Sequence, residues 1–182
     1  MDRKERKVYL TFDDGPIPEA TPFILQTLRE RGIKATFFMV GENVYKHPEL
    51  FEQIKADGHS IGNHTYNHMG GAKHGINTYM ENIKKADELL HTNLFRPPHG
   101  WMKISQYFWL SRKYKVVMWD LVTRDYSKLL TAKDVVNNVK RYARNGSIIT
   151  FHDSLKSIDK LKTALPESLD WLIKHGYSFG QL

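Results

Sequence analysis

Two adjacent carboxylates, Asp13 and Asp14, stand where an apolar strand stops and a Gly15-Pro16 turn begins. Neighbouring aspartates repel each other, so holding both in one pocket calls for a compensating cation. A metal bound by one, with the other left as a base, would solve that problem. An Asp-Asp-Gly turn by itself is ordinary turn chemistry; the other polar clusters give it weight. His64 and His68 are four residues apart, so a helical turn would carry both imidazoles on one side. With one aspartate they make a two-histidine, one-carboxylate set that leaves coordination positions open. A catalytic metal needs such positions to bind water and lower its pKa. His152 follows the apolar run from 148 to 151, held by a strand rather than a flexible loop, which suits proton transfer. Arg96 ends another apolar run and calls for a carboxylate partner, for which Asp13 is available. His47, His59, His91 and His175 lie by predicted helix ends or turns and read as ordinary surface residues. His74, beside the flexible Gly70-Gly71-Ala72-Lys73 stretch, reads as solvated.

The elements that must position these residues are legible. Apolar, β-branched and aromatic runs mark about seven short strands, at 8–12, 35–40, 60–62, 94–96, 116–119, 147–151 and 177–179. Polar helical runs stop at Gly32, Gly58, Gly146 and Gly176, each suited to the left-handed position that ends a helix. Thr21-Pro22 predicts an N-cap followed by proline at the first helical position, and Thr131 caps a helix over 132–144. Alternating strands and helices argue for parallel βαβ units, either a small imperfect barrel or an open doubly wound sheet. In both, the carboxyl ends of the strands share one face that carries the site. Five clusters follow strands and are therefore expected to converge there: Asp13-Asp14, His64 to His68, Arg96 to Gly100, Asp120 to Asp125, and His152-Asp153.

Composition narrows the classes. The 182 residues fit one domain, 1–182, with a charged N-terminal extension at 1–7, and can bury a single core. Hydrophobic content of 41% and aromatic content of 12% are globular values. No cysteine is present, so any metal must sit on His, Asp or Glu. The N-terminal residues are charged with no apolar run behind them, so they form neither a signal peptide nor a membrane anchor. The expected location is extracytoplasmic if a leader has been removed and cytoplasmic otherwise. The formal charge of +7 suits a polyanionic partner. The basic residues are scattered over helices without a nucleic-acid motif, so a solvated basic surface is expected rather than specific nucleic-acid binding.

Thr11-Phe12-Asp13-Asp14-Gly15-Pro16, His64-Thr65-x-x-His68, Arg96-Pro97-Pro98-x-Gly100 and the late His152-Asp153 together resemble the polysaccharide deacetylases of the NodB-homology type, carbohydrate esterase family four. The motifs occur in the family's order and, with the closing Gly-Tyr-Ser-Phe strand, span nearly the whole chain. The resemblance implies a distorted (β/α) barrel of seven parallel strands. It implies that Asp14, His64 and His68 hold a divalent metal, zinc foremost, with cobalt, nickel, manganese or iron compatible. It makes Asp13 the general base paired with Arg96, His152 the general acid, and Asp125 the residue that orients His152. The implied reaction is hydrolytic removal of N-acetyl groups from amino sugars of a glycan such as peptidoglycan or chitin oligomers; the chain itself is expected to be a monomer without a transmembrane segment. The alternatives are an O-acetyl ester or small-amide hydrolase on the same fold, and an inactive glycan-binding module. Three residues depart from the family's pattern. His99 stands where Tyr is usual, its backbone N–H retained as an oxyanion donor. Tyr126 replaces Trp, and Thr150 replaces an apolar residue beside the acetyl pocket.

Overall fold

The computed structural model describes residues 3–182. Strand β1 (Lys7–Asp14) is followed by α1 (Thr21–Arg29), β2 (Thr36–Met39), α2 (Gly41–Lys46), α3 (Pro48–Ala56) and β3 (Ser60–Asn63). Helix α4 (Ile76–Leu90), β4 (Leu94–Phe95), α5 (Ile104–Leu110), β5 (Lys115–Val116) and β6 (Leu121–Val122) come next. The chain ends with α6 (Ala132–Tyr142), β7 (Ile148–His152), α7 (Ile158–Lys174) and β8 (Ser178–Gly180). Every strand pairing is parallel, in the order β5-β4-β3-β2-β1-β7-β6, with β8 beside the start of β1.

The expected run at 116–119 is two short strands at opposite edges. β5 pairs with β4, and β6 pairs with β7. Residues 117–120 cross between the edges, with Val117 N–H donating to Phe95 O at 2.8 Å and Asp120 N–H to Ile148 O at 3.0 Å. The sheet thus curls into an open, distorted barrel whose two edges are bridged by a broken strand. Counting that strand once leaves seven, as the resemblance implied. The break leaves two carbonyls pointing inward, and Arg96 serves both: Nε donates to Val117 O and Nη2 to Met118 O.

Alternation along β1 sorts its side chains. Val8, Leu10 and Phe12 face the helices in the main core, where Phe12 stacks between Phe37 and Phe151 at 5.1 and 5.8 Å. Thr11 and Asp13 face the barrel interior, beside the buried Arg96. All four anticipated helix-terminating glycines have positive φ, between 63° and 78°.

Other local expectations shift. Lys7, grouped with the charged extension, is the first residue of β1, while Met1 and Asp2 lie outside the described residues. Thr21 is the first helical residue rather than the N-cap; its Oγ1 accepts from Ile17 N–H and donates to Asp153. Thr131 does cap α6, in a reciprocal bond pattern with Asp134. His59 is buried, not a surface residue: Nδ1 accepts from Ala35 N–H, and burial, aided by Lys34, lowers its pKa to about 4. The 70–73 stretch is a 3-10 turn tied down by Gln106, whose Nε2 donates to Gly71 O, and His74 is half-buried there. No helix among the described residues is long and apolar enough to cross a membrane.

Candidate active site

The carboxyl ends of β1, β3, β4 and β7, with the loops after β4 and β6, surround one cleft of about 630 Å³. Asp13, Asp14, His64, His68, His99 and His152 line it. In a regular strand Asp13 and Asp14 would point to opposite faces. Asp14 instead has φ of 86°, a value rare outside glycine, which breaks the alternation and brings both carboxylates to the cleft. Gly15 completes the turn because a Cβ there would lie 2.0 Å from Asp153 Oδ2.

His64 and His68 do meet, but not through a helix. β3 ends at Asn63, and the chain turns through left-handed residues at Thr65 (φ 67°) and His68 (φ 59°). Side chains hold this turn: Asn63 Oδ1 accepts from Thr65 N–H, Thr65 Oγ1 from Met69 N–H, and Asn82 Oδ1 from Tyr66 N–H, each at 2.8 Å. The imidazole centroids are 5.1 Å apart. His64 Nδ1 bonds Arg96 O at 2.7 Å, which leaves Nε2 facing Asp14 Oδ1 at 3.7 Å. His68 Nε2 lies 3.2 Å from the same oxygen, although not aligned as a hydrogen bond.

These residues fit a divalent cation. One donor atom from each of Asp14, His64 and His68 falls within 4.8 Å of the others. Asp14 Oδ1 is buried with no hydrogen-bond donor, a costly arrangement unless a cation completes it. Burial of Asp14 alone would raise its pKa, but His68, His64 and His152 reverse this and hold it near about 2. Burial drives His64 down to about 4 against the pull of Asp13 and Asp14, so its ring is a neutral lone-pair donor at neutral pH.

Asp13 lies on the other side of the cleft floor. Arg96 Nη1 donates to Asp13 Oδ1 and Thr11 Oγ1, each at 2.7 Å, and to Thr150 Oγ1 at 3.2 Å. The Thr150 hydroxyl is thus committed to Arg96 and to Thr11 Oγ1 at 3.0 Å, although the residue lines the cleft. His152 is held by Asp125, whose Oδ1 bonds its Nδ1 at 2.7 Å and whose Oδ2 accepts its backbone N–H at 2.8 Å. Burial opposes a charge on His152, but the Asp125 bond and charge, backed by Asp13 and Asp14, lift its pKa to about 9. Tyr126 sets its ring at right angles to His152, 4.7 Å away. The His99 ring stands edge-on to His68 at 4.8 Å, on a left-handed backbone (φ 60°).

One expected member of the rim is elsewhere. Asp120 accepts from Ile148 N–H at the start of β7 and pairs with Arg3 and Arg144, so it belongs to the opposite end of the barrel. Two residues without an assigned role shape the site. Lys160, from the first turn of α7, donates to the carbonyls of Asp125 (2.6 Å) and Ser127 (2.9 Å) and so pins the loop that carries Asp125. Asp153 is buried against the Gly15 turn, with one oxygen on Thr21 and the other unpaired. Burial raises its pKa to about 8 despite the Thr21 bond, and Asp14 adds to the rise. Only its place directly after His152 hinted at a role; nothing in the sequence marks Lys160.

The chain belongs to the polysaccharide deacetylase family, whose model matches residues 1–114. Among its relatives is a peptidoglycan-N-acetylglucosamine deacetylase of Bacillus cereus, 37% identical over 88% of this chain and 62% of the relative. A chitooligosaccharide deacetylase of Azorhizobium caulinodans is 32% identical over 84% of this chain and 76% of its own length. The fold matches the crystal structure of a peptidoglycan N-acetylglucosamine deacetylase in complex with 4-naphthalen-1-yl-N-oxidanyl-benzamide. The TM-score is 0.95 at 34% identity, over all of this chain and 88% of that one.

Proposed function

We propose that the protein is a metal-dependent hydrolase that removes N-acetyl groups from amino sugars of a polysaccharide or oligosaccharide. The observation that carries this reading is geometric: Asp14, His64 and His68 bring one ligand atom each within 4.8 Å of one another around an orphaned Asp14 oxygen, in the cleft that also holds the Arg96-bound Asp13 and the Asp125-bound His152. A neutral His64 lies beside an ionised Asp14 with an orphaned oxygen, and a charged His152 lies on the facing side. A divalent ion held by Asp14, His64 and His68 would polarise the acetyl carbonyl and acidify a water molecule.

Asp13 would take a proton from the attacking water as its oxygen adds to the carbonyl carbon. Arg96 fixes its carboxylate and leaves it free of the metal set. The backbone N–H of His99 follows two prolines and donates to no acceptor among the described residues, so it is available to the developing oxyanion. As the C–N bond breaks, the departing nitrogen needs a proton. His152 can supply it from Nε2, because Nδ1 is committed to Asp125. The products are acetate and a free amino sugar. Esters need little help at the leaving group, so a proton donor oriented by Asp125 matters more for an amide substrate than for an O-acetyl ester.

The relatives are named for peptidoglycan and for chitin oligomers, and both carry the reacting group. The test is acetate release from peptidoglycan, chitin oligomers and O-acetylated xylan, with and without added zinc. Release from the N-acetylated glycans that disappears on chelation and returns with metal is expected. Glycan binding with no acetate release under metal-replete conditions would make the chain an inactive binding module and overturn the reading.

A further inference from the structure

Helix α5 is turned inside out relative to an ordinary surface helix. Its buried positions are Gln106 and Leu110, while Ile104 is 77% and Phe108 64% exposed. Tyr107 and Trp109 are also exposed, as is Trp101 on the segment leading into the helix. At one hundred degrees per residue, Tyr107, Ile104, Phe108 and Trp109 share one outward arc, interrupted only by Ser105, and Arg112 follows in the turn after the helix. Surface apolar residues scattered singly need no explanation, but a contiguous set on one element does.

The charge around this arc has one sign. No aspartate or glutamate occurs between Glu88 and Asp120, whereas Arg96, Lys103, Arg112, Lys113 and Lys115 all fall in that interval. Arg96 is buried in the barrel, and Lys113 pairs with Asp87 of α4. Lys103 Nζ donates to His74 O at 2.9 Å; among the described residues Arg112 and Lys115 are in no ion pair, and the Arg112 guanidinium lies 4.6 Å over the Trp109 ring.

We propose that this face docks the protein onto an anionic lipid surface. Tryptophan and tyrosine favour the depth of lipid headgroups, Ile104 and Phe108 can enter the acyl boundary, and the flanking cations meet the anionic headgroups. Aromatic rings also stack on sugar faces, but the 77% exposed Ile104 has no ring to stack, and a neutral glycan offers no counter-charge to Arg112 and Lys115. A protein partner with an acidic rim, or a second copy, is told apart by experiment. Because α5 follows β4, its Trp101 end lies towards the rim and its Arg112 end towards the opposite end of the barrel. Docking along α5 therefore leaves the cleft uncovered.

The experiment is co-sedimentation of the intact protein with vesicles of phosphatidylglycerol and phosphatidylcholine in equal parts, and with phosphatidylcholine alone. Strong binding to the mixed vesicles, weakened by salt, is expected. The double variant Ile104→Ser/Phe108→Ser should bind at least about thirtyfold more weakly. Arg112→Gln should lose about fivefold. Both should keep the wild-type melting temperature and turnover on a soluble oligosaccharide, since none of these residues lines the cleft. Equal binding to both vesicle types, or variants that bind as well as wild type, would overturn the proposal. So would a face that instead carries self-association in sedimentation velocity, or binding to insoluble glycan without vesicle binding, lost in the same variants.

Discussion

The cleft contains two histidine–aspartate assemblies made from the same residue types and held in opposite protonation states. At one, His64 gives its Nδ1 to a backbone carbonyl, Arg96 O, and keeps Asp14 at 3.7 Å from Nε2. At the other, His152 gives its Nδ1 directly to a carboxylate, Asp125, at 2.7 Å. Both rings are largely shut off from solvent, and burial disfavours charge in each. A neutral acceptor leaves that penalty uncompensated, and His64 falls to about 4; a carboxylate outweighs it, and His152 rises to about 9. On the proposed reading, the partner of Nδ1 separates the ring suited to ligate a metal from the ring suited to donate a proton. The carboxylates differ in the same way: Asp125 uses both oxygens on His152, whereas Asp14 keeps one buried oxygen without a donor.

Removing a ligand from the neutral assembly should do the most damage. His64→Ala is expected to lose bound metal and to reduce turnover on the order of a thousandfold or more. Elemental analysis of the dialysed variant checks this, and retention of one equivalent of metal would contradict the ligand set. Asp13→Asn separates the assemblies, because it removes the proposed proton acceptor and leaves Asp14, His64 and His68 intact. Metal content should stay at the wild-type level while kcat falls by about 10²–10⁴. Full activity in that variant would rule out Asp13 as base.

Asp125→Asn converts the charged assembly towards the neutral kind. In the wild type, activity should fall as pH rises through about 9, where His152 loses its proton. In the variant that alkaline limb should move down from about 9 towards the ordinary 6.5. At pH 8 the variant should then retain about a tenth or less of its own low-pH turnover. An unmoved limb in the pH–rate profile would assign it to another group. At Asp153 the effect is expected on stability and not on turnover. Its folded pKa, about 8, lies above the ordinary 3.8, so the folded state holds a proton that the unfolded chain releases. Stability from this group is therefore present at low pH and lost as pH rises towards about 8. His152, also raised, adds a loss of the same sign between 6.5 and about 9. Asp153→Asn should keep its low-pH melting temperature and show a shallower decline from pH 5 to 8. A decline as steep as that of wild type would remove Asp153 from this account.

Much of this arrangement is legible in the sequence where one residue type answers one physical need. Gly32, Gly58, Gly146 and Gly176 stop helices because few other residues take their backbone geometry, and each fixes where the next strand begins. Polar residues at the ends of apolar strands converge because parallel strands share a carboxyl end. That rule located Asp13, Asp14, His64, Arg96 and His152. It misplaced Asp120, because a strand broken after Val116 and resumed at Leu121 sends Asp120 to the amino end of β7. The left-handed φ of Asp14, Thr65 and His68 is also unreadable in advance, since none of these residues requires it. Tertiary contacts impose it, and the His64–His68 spacing read as a helix is a tight turn in the fold. Lys160 shows the same limit: its partners are backbone carbonyls, which no side-chain pattern records.

The central claim is that the two assemblies differ in protonation before any substrate arrives. Imidazole nitrogen-15 spectra of the metal-free protein at pH 7, followed by a zinc titration, test it directly. His152 should show both nitrogens protonated and respond little to zinc, whereas His64 should be neutral with an unprotonated Nε2 and shift together with His68. A neutral His152 at pH 7, or a charged His64 that zinc leaves unmoved, would contradict the account.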